Sequence, residues 1–313
     1  MKIGKILIGT VLVVIGLPVA AVLIIAAYVS TLNQTNGSIV SSGEERTYLL
    51  YVPKSYDSAK PTPLIISLHG AAGWPAHEKN LSQWNRLADE HGFIVVYPSG
   101  NDVPRIWHVE PGPALTRDVK FISDLIDTLQ KSYNVDPARI HADGFSNGGG
   151  MSFVLSCTLS DRIAAFGLVA AARTLPWSWC TDRRSVPMIE FHGTADEFAP
   201  YKGGLAPNAF APTRFDPNAE PFPNVPEWTA SWAQRNRCGA SPVESAVAAD
   251  VTRLEYTNCA DNAPVVLYTV LGGGHSWPGG KPDPEWMVGP TSNGVDATRE
   301  MWAFYREHPL STK

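Results

Sequence analysis

The chain has 313 residues, 44% of them hydrophobic and 18% charged, with a formal net charge of −5. Those figures suit one large α/β domain, or at most two ordinary ones, with ample apolar material for a core. The lysines and arginines are scattered, so nothing supports a nucleic-acid-binding surface.

Met1 to Lys5 is a short basic start, followed by an apolar run from Ile6 to Val29 that contains no charge. A little over twenty residues suffice to span a hydrocarbon core as a helix. Residues 1–30 therefore read as an uncleaved signal-anchor, N-terminus inside, with the rest of the chain outside. A cleaved signal peptide is the alternative, and both readings export the domain. Residues 31–43 are polar and read as a linker, leaving 44–313 as the folded domain. Thr47 to Val52, Leu64 to Leu68 and Phe93 to Tyr97 are apolar runs of strand length. Between the last two, Ala76 to His91 reads as one helix stopped by Gly92. Arg117 to Tyr133 has the clearest helical period, with Val119, Ile122, Leu125, Ile126, Leu129 and Tyr133 on one face.

Next comes Gly144-Phe145-Ser146-Asn147-Gly148, a G-x-S-x-G pattern. It sits between a short strand (Ile140 to Phe145, after a turn at Val135 to Arg139) and an apolar helix face (Met151 to Leu159). That context is what a nucleophile elbow requires, because glycines flank a serine held on a strained turn. Ile163 to Ala171, Pro187 to Phe191 and Val265 to Val270 read as further strands, and Val295 to Glu307 as the closing helix. The Pro-rich segment 202–226 is long enough to edge a pocket. Alternating strands and amphipathic helices predict an α/β fold, a mostly parallel sheet with helices on both faces.

A serine needs a base, and the base needs an orienting acid; on α/β-hydrolase folds these follow in the order Ser, acid, His. Only His192, His275 and His308 lie after Ser146. His308 ends the terminal helix, and His192 precedes any suitable acid. His275 follows a strand and a glycine-rich loop, so it is the expected base. Asp196, just past the Pro187 to Phe191 strand, is the expected acid, with Glu197 as fallback. The amides of Asn147 and Ala71 are the expected oxyanion donors, although a neighbouring glycine could shift the second by one position. No spacing suggests a metal site or a nucleotide cofactor. Trp107, Tyr201 and Trp277 are candidates to line the substrate pocket. The four cysteines allow three connectivities. In an exported chain the sequence-local pairs Cys157–Cys180 and Cys238–Cys259 are expected, with free thiols as the alternative.

Taken together, LIISLHG, GFIVVYPSG, NVDPARI-x3-GFSNGGGM, FHGTAD-x4-PY-x-GG and GGGHSWPGG resemble the polyhydroxybutyrate depolymerase/feruloyl esterase family of secreted α/β-hydrolases. That family also includes acetyl xylan esterases. The resemblance runs from about Thr47 to about Pro309. It implies Ser146 as nucleophile, Asp196 as acid, His275 as base and the same two disulfides. Two departures, Ala71-Ala72 after the His-Gly pair and His108 after Trp107, fall on the acyl-binding side. With no polymer-binding module after Pro309 and an anchor in front, soluble or oligomeric esters are the expected substrates, without a cofactor. The rival readings are a prolyl-oligopeptidase-like serine peptidase and a non-catalytic surface binding protein.

Overall fold

The computed structural model describes residues 30–31, 34–208, 211, 220–281 and 283–311. The expected anchor therefore lies outside the described residues, save for its last residue. Among the described residues no helix is long and apolar enough to cross a membrane.

Ten strands form one sheet among these residues: β1 (Gly37–Ser41), β2 (Glu44–Tyr51), β3 (Thr62–Leu68), β4 (Ile94–Pro98), β5 (Val135–Phe145), β6 (Phe166–Val169), β7 (Met188–Gly193), β8 (Val243–Ala248), β9 (Val251–Tyr256) and β10 (Val265–Val270). Their order is β1-β2-β4-β3-β5-β6-β7-β10-β9-β8. The central six, from β4 to β10, pair in parallel, while both margins are antiparallel. The helices are α1 (Pro75–Ser82), α2 (Trp84–His91), α3 (Pro113–Ser132), α4 (Asn147–Thr158), α5 (Val225–Arg235), α6 (Glu285–Val288) and α7 (Ala297–Glu307).

Strand alternation divides the core in two. Leu64, Ile66 and Leu68 of β3 and Ile94 and Val96 of β4 pack with α3, α4 and α5 on one face. Ile65, Val95 and Tyr97 point the other way, against α2 and α7. A parallel sheet buried on both faces explains why these strands read as unbroken apolar runs.

The structure corrects several boundaries. The expected single helix from Ala76 to His91 is two, because Gln83 takes a left-handed conformation (φ +60°) between α1 and α2. The region expected to be a turn at Val135 to Arg139 belongs to β5. Within the expected linker, Gly37–Ser41 is an edge strand paired with β2. The hairpin β8–β9 and helix α5 were not expected at all. β8 is exposed along nearly its whole length, so it lacks the alternation that marks a half-buried strand. Both sequence-local disulfides are present, Cys157–Cys180 and Cys238–Cys259.

Candidate active site

Three loops at the carboxyl ends of β5, β7 and β10 converge, as the neighbouring positions of β7 and β10 require. At the end of β5, Ser146 sits at φ 54°, ψ −119°, a strained backbone for a side-chain-bearing residue. The turn is held by Ser146 N–H donating to Val169 O at 2.9 Å and by Ser146 O accepting from Gly150 and Ala172. Both flanking glycines are sterically required. A Cβ on Gly144 would lie 2.3 Å from Gly148 backbone atoms, and one on Gly148 would lie 2.0 Å from Leu68 O.

The β7 and β10 loops lock onto each other through backbone contacts. Ala195 N–H donates to Gly273 O and Thr194 N–H to Val270 O, each at 2.9 Å. A Cβ on Gly193 would meet Gly273 O at 2.2 Å, so the close approach needs glycine there. This apposition brings Asp196 and His275 together, with Asp196 Oδ2 accepting from His275 Nδ1 at 2.8 Å. Asp196 Oδ1 accepts the Phe198 and Ala199 amides at 2.8 and 2.9 Å. Burial pushes this carboxyl upward. The His275 charge and the hydrogen bonds from His192 and His275 outweigh that and hold it below the ordinary carboxylate range. The His275 ring packs against Phe145 and Phe198, each with its centroid 4.8 Å away.

Behind Asp196 stands a buried chain of charges that sequence reading did not anticipate. His192 Nε2 faces Ala199 O at 2.7 Å and Asp196 Oδ2 at 3.4 Å. Its Nδ1 faces Glu190 Oε1 at 3.2 Å. Glu190 forms a close ion pair with Arg173, and both side chains are buried. With oxygen at each ring nitrogen, His192 is held protonated. Burial lowers its pKa, but its hydrogen bonds to Asp196 and Glu190 raise it further, leaving it above the ordinary value.

On the other side of Ser146, the loop after β3 is pinned by His69. Its Nδ1–H donates to Gly70 O at 2.7 Å, and its Nε2 accepts Gly100 N–H at 2.9 Å. Burial depresses the His69 pKa to about 4, so the neutral ring that this pairing needs is the stable form. The Asn147 side chain ties down the Trp107 backbone, accepting from its N–H at 2.7 Å and donating to its carbonyl at 3.0 Å. The Asn147 amide heads α4, where first-turn amides have no intrahelical acceptor.

Two cavities meet at Ser146. One, of about 470 Å³, is walled mainly by apolar groups that include Ile106, Val109, Pro111, Phe198 and Phe222, and Ala71 and Asn147 also line it. The Thr174 hydroxyl at this cavity is buried without a hydrogen-bond partner. The other, of about 360 Å³, is lined by Trp74, His77, Asp283 and Met287 together with Ser146 and His275. No hydrogen bond joins Ser146 to His275 among the described residues, a common condition before substrate binds.

The expected pocket aromatics fare unevenly. Trp107 does line the larger cavity, although it is 1% exposed and its indole N–H donates to His69 O. Trp277 is a core residue, fully buried, with its indole N–H on Thr298 Oγ1 at 2.9 Å. The Tyr201 hydroxyl pairs with Thr269 Oγ1 at 2.8 Å, and the residue lines neither cavity. Phe198, two residues past Asp196, was missed although its position in that loop marked it. Phe222 comes from the Pro-rich segment, whose residues 209–210 and 212–219 lie outside the described ones. Among the described residues, no cluster of His, Cys, Asp and Glu could hold a metal.

Comparison with known proteins gives the arrangement a family. A bifunctional acetylxylan esterase/xylanase of Neocallimastix patriciarum is 32% identical over 160 residues, 51% of this chain and 23% of that protein. Feruloyl esterase B of Piromyces equi is 31% identical over 242 residues, 75% of this chain and 44% of that protein. The chain thus spans less than half the length of each of these two relatives. The acetyl xylan esterase from Aspergillus awamori superposes with a TM-score of 0.56 at 17% identity, over 74% of this chain and 89% of that one, and so shares the fold. The family model Esterase, described as "Putative esterase", matches residues 39–201, a stretch that holds Ser146 and Asp196 but stops short of His275. That match covers just over half the chain, and the chain belongs to this esterase family.

Proposed function

We propose that the protein is a serine hydrolase of carboxylic esters that works through an acyl-enzyme. Ser146 Oγ attacks the ester carbonyl carbon while His275 Nε2 takes the hydroxyl proton. Asp196 holds the imidazole by its other nitrogen and stabilises the imidazolium. The amides of Ala71 and Asn147 donate to the oxyanion that develops, a contribution of about two to three powers of ten in rate per donor. The proton on His275 then passes to the alkoxide oxygen, the alcohol leaves, and water repeats the sequence to release the acid. The observation that carries this reading is the 2.8 Å Asp196–His275 hydrogen bond, with that imidazole and Ser146 on one cavity.

Sidedness follows from the chemistry. His275 has to reach the leaving oxygen, so the cavity it lines takes the alcohol. The larger cavity, lined by both oxyanion donors but not by His275, takes the acyl group. An acetyl group would leave most of about 470 Å³ empty, so a larger apolar acyl, of feruloyl or hydroxyalkanoate-oligomer type, suits it better. The relatives named feruloyl esterase and acetylxylan esterase support the reaction class. Two disulfides support work in an oxidising compartment, outside the cytosol. Residues 1–30, by their apolar run, are proposed to carry the chain to the membrane.

The test is turnover of methyl ferulate, short p-nitrophenyl esters, acetylated xylan and soluble hydroxybutyrate oligomers by wild type and Ser146→Ala. Wild type should favour the bulky acyl series, and the variant should lose roughly four to six powers of ten in kcat. Equal rates in the two proteins, or labelling of the variant by a fluorophosphonate, would reject the mechanism.

A further inference from the structure

The cavity on the His275 side carries polar groups that the reaction itself does not use. Helix α1 contributes His77, and the loop before α6, some two hundred residues later, contributes Asp283. His77 Nε2 and Asp283 Oδ1 are 2.9 Å apart. Each side chain keeps 24% of its surface exposed, and both line the cavity with Ser146, His275 and the half-buried Trp74. In the neutral tautomer that donates Nε2–H to Asp283, the lone pair lies on Nδ1. Asp283 Oδ2 and His77 Nδ1 have no partner among the described residues. The wall therefore offers two adjacent acceptors to whatever occupies the cavity.

We infer that His77 and Asp283 form a subsite for the hydroxyl groups of a polyhydroxylated leaving alcohol, with the Trp74 indole as its apolar face. The inference rests on the assignment of Ser146 and His275 to the reaction, because that assignment makes this the alcohol side. An alkyl alcohol entering here strips water from both acceptors and returns nothing, whereas an alcohol with further hydroxyls replaces each water contact it displaces. Two acceptors side by side match two hydroxyls of one alcohol better than a single cationic centre. The partial exposure of the pair limits the discrimination to about ten- to a hundredfold, well below that of a fully buried site.

The experiment compares propyl, glyceryl and aminoethyl esters of one acyl group on wild type, Asp283→Leu, His77→Phe and Ser146→Ala. In wild type, kcat/KM for the glyceryl ester should exceed that for the propyl ester by about tenfold or more, with the difference mostly in KM. In Asp283→Leu and His77→Phe, which leave no polar atom at either position, that ratio should fall towards one. A ratio compares two substrates on one preparation, so partial unfolding of a variant cancels from it. Equal rates on the two esters in wild type, or a ratio that survives both substitutions, overturns the subsite. A preference for the aminoethyl ester overturns it in favour of a cation site. Turnover that persists in Ser146→Ala overturns the underlying assignment instead.

Discussion

Replacing Asp143 by asparagine should flatten the dependence of stability on pH. Asp143 lies on β5, three residues before Ser146, and is fully buried beside the equally buried Glu78. Ser67 Oγ lies 2.7 Å from Asp143 Oδ1 and 3.2 Å from Glu78 Oε1. One hydroxyl hydrogen serves only one of these contacts, so the other needs a protonated carboxyl to donate. The Trp84 indole N–H also donates to Asp143 Oδ1 at 3.2 Å, while Asp143 Oδ2 and Glu78 Oε2 have no partner. Burial raises Asp143 to about 7, despite the opposing hydrogen bonds from Ser67 and Trp84. Burial, followed by the Asp143 charge, raises Glu78 well above its ordinary value.

In the unfolded chain Asp143 ionises near pH 4, while in the folded chain it stays neutral to about pH 7. Its contribution to stability is therefore complete below pH 4 and lost as pH rises to 7. Three pH units at about 1.4 kcal/mol each make that loss about 4 kcal/mol. Asparagine keeps the acceptor oxygen and has no proton to lose. Urea unfolding at pH 5, 6, 7 and 8 should show wild type losing about 1.4 kcal/mol more per pH unit than Asp143→Asn between pH 5 and 7. Parallel stability curves for the two proteins would refute the buried neutral acid.

Three further outcomes are expected. His192→Gln removes a buried cation from Asp196, leaving Glu190, Arg173 and Tyr201 around the vacated position. The Asp196 charge then bears more fully on His275, so the acid limb of kcat/KM should move to higher pH; a lowered melting temperature with an unmoved limb would mean a structural role alone. Gly148→Ala forces a methyl against the Leu68 and His69 carbonyls, 2.0 and 2.6 Å from the added carbon. It should destabilise by about 1–3 kcal/mol and cost kcat more than KM, both read from steady-state kinetics beside a melt. Replacing Cys238 and Cys259 together by alanine frees a loop with a sequence separation of 21 and should cost about 3 kcal/mol in urea unfolding, with little effect on ester turnover at low temperature.

Much of this protein was legible in its sequence because local physics was enough. Buried parallel strands write themselves as apolar runs, so β3, β4, β7 and β10 were found nearly to their ends. Gly144 and Gly148 are forced by contacts within a few residues of Ser146 and with the β3 terminus, which is why a five-residue pattern marks the elbow. The order of strands and loops along the chain then singled out Asp196 and His275, and sequence proximity singled out the two disulfides.

What the sequence left undetermined depends on elements distant along the chain. Trp277 and Trp107 are both tryptophans beside glycine- or histidine-bearing loops, yet packing sends one into the core against Thr298 and leaves the other at the cavity wall. Glu190 and His192 are two residues apart on β7 and Asp196 follows four residues on, but Arg173 reaches Glu190 only through the pairing of β6 with β7 and the loop beyond β6. His77 and Asp283 meet only because α1 and the approach to α6 pack over the same end of the sheet. Backbone contacts that fix a turn are short-ranged and leave a mark in the sequence. Side-chain partnerships across a pocket arise from the packing of whole elements and leave none.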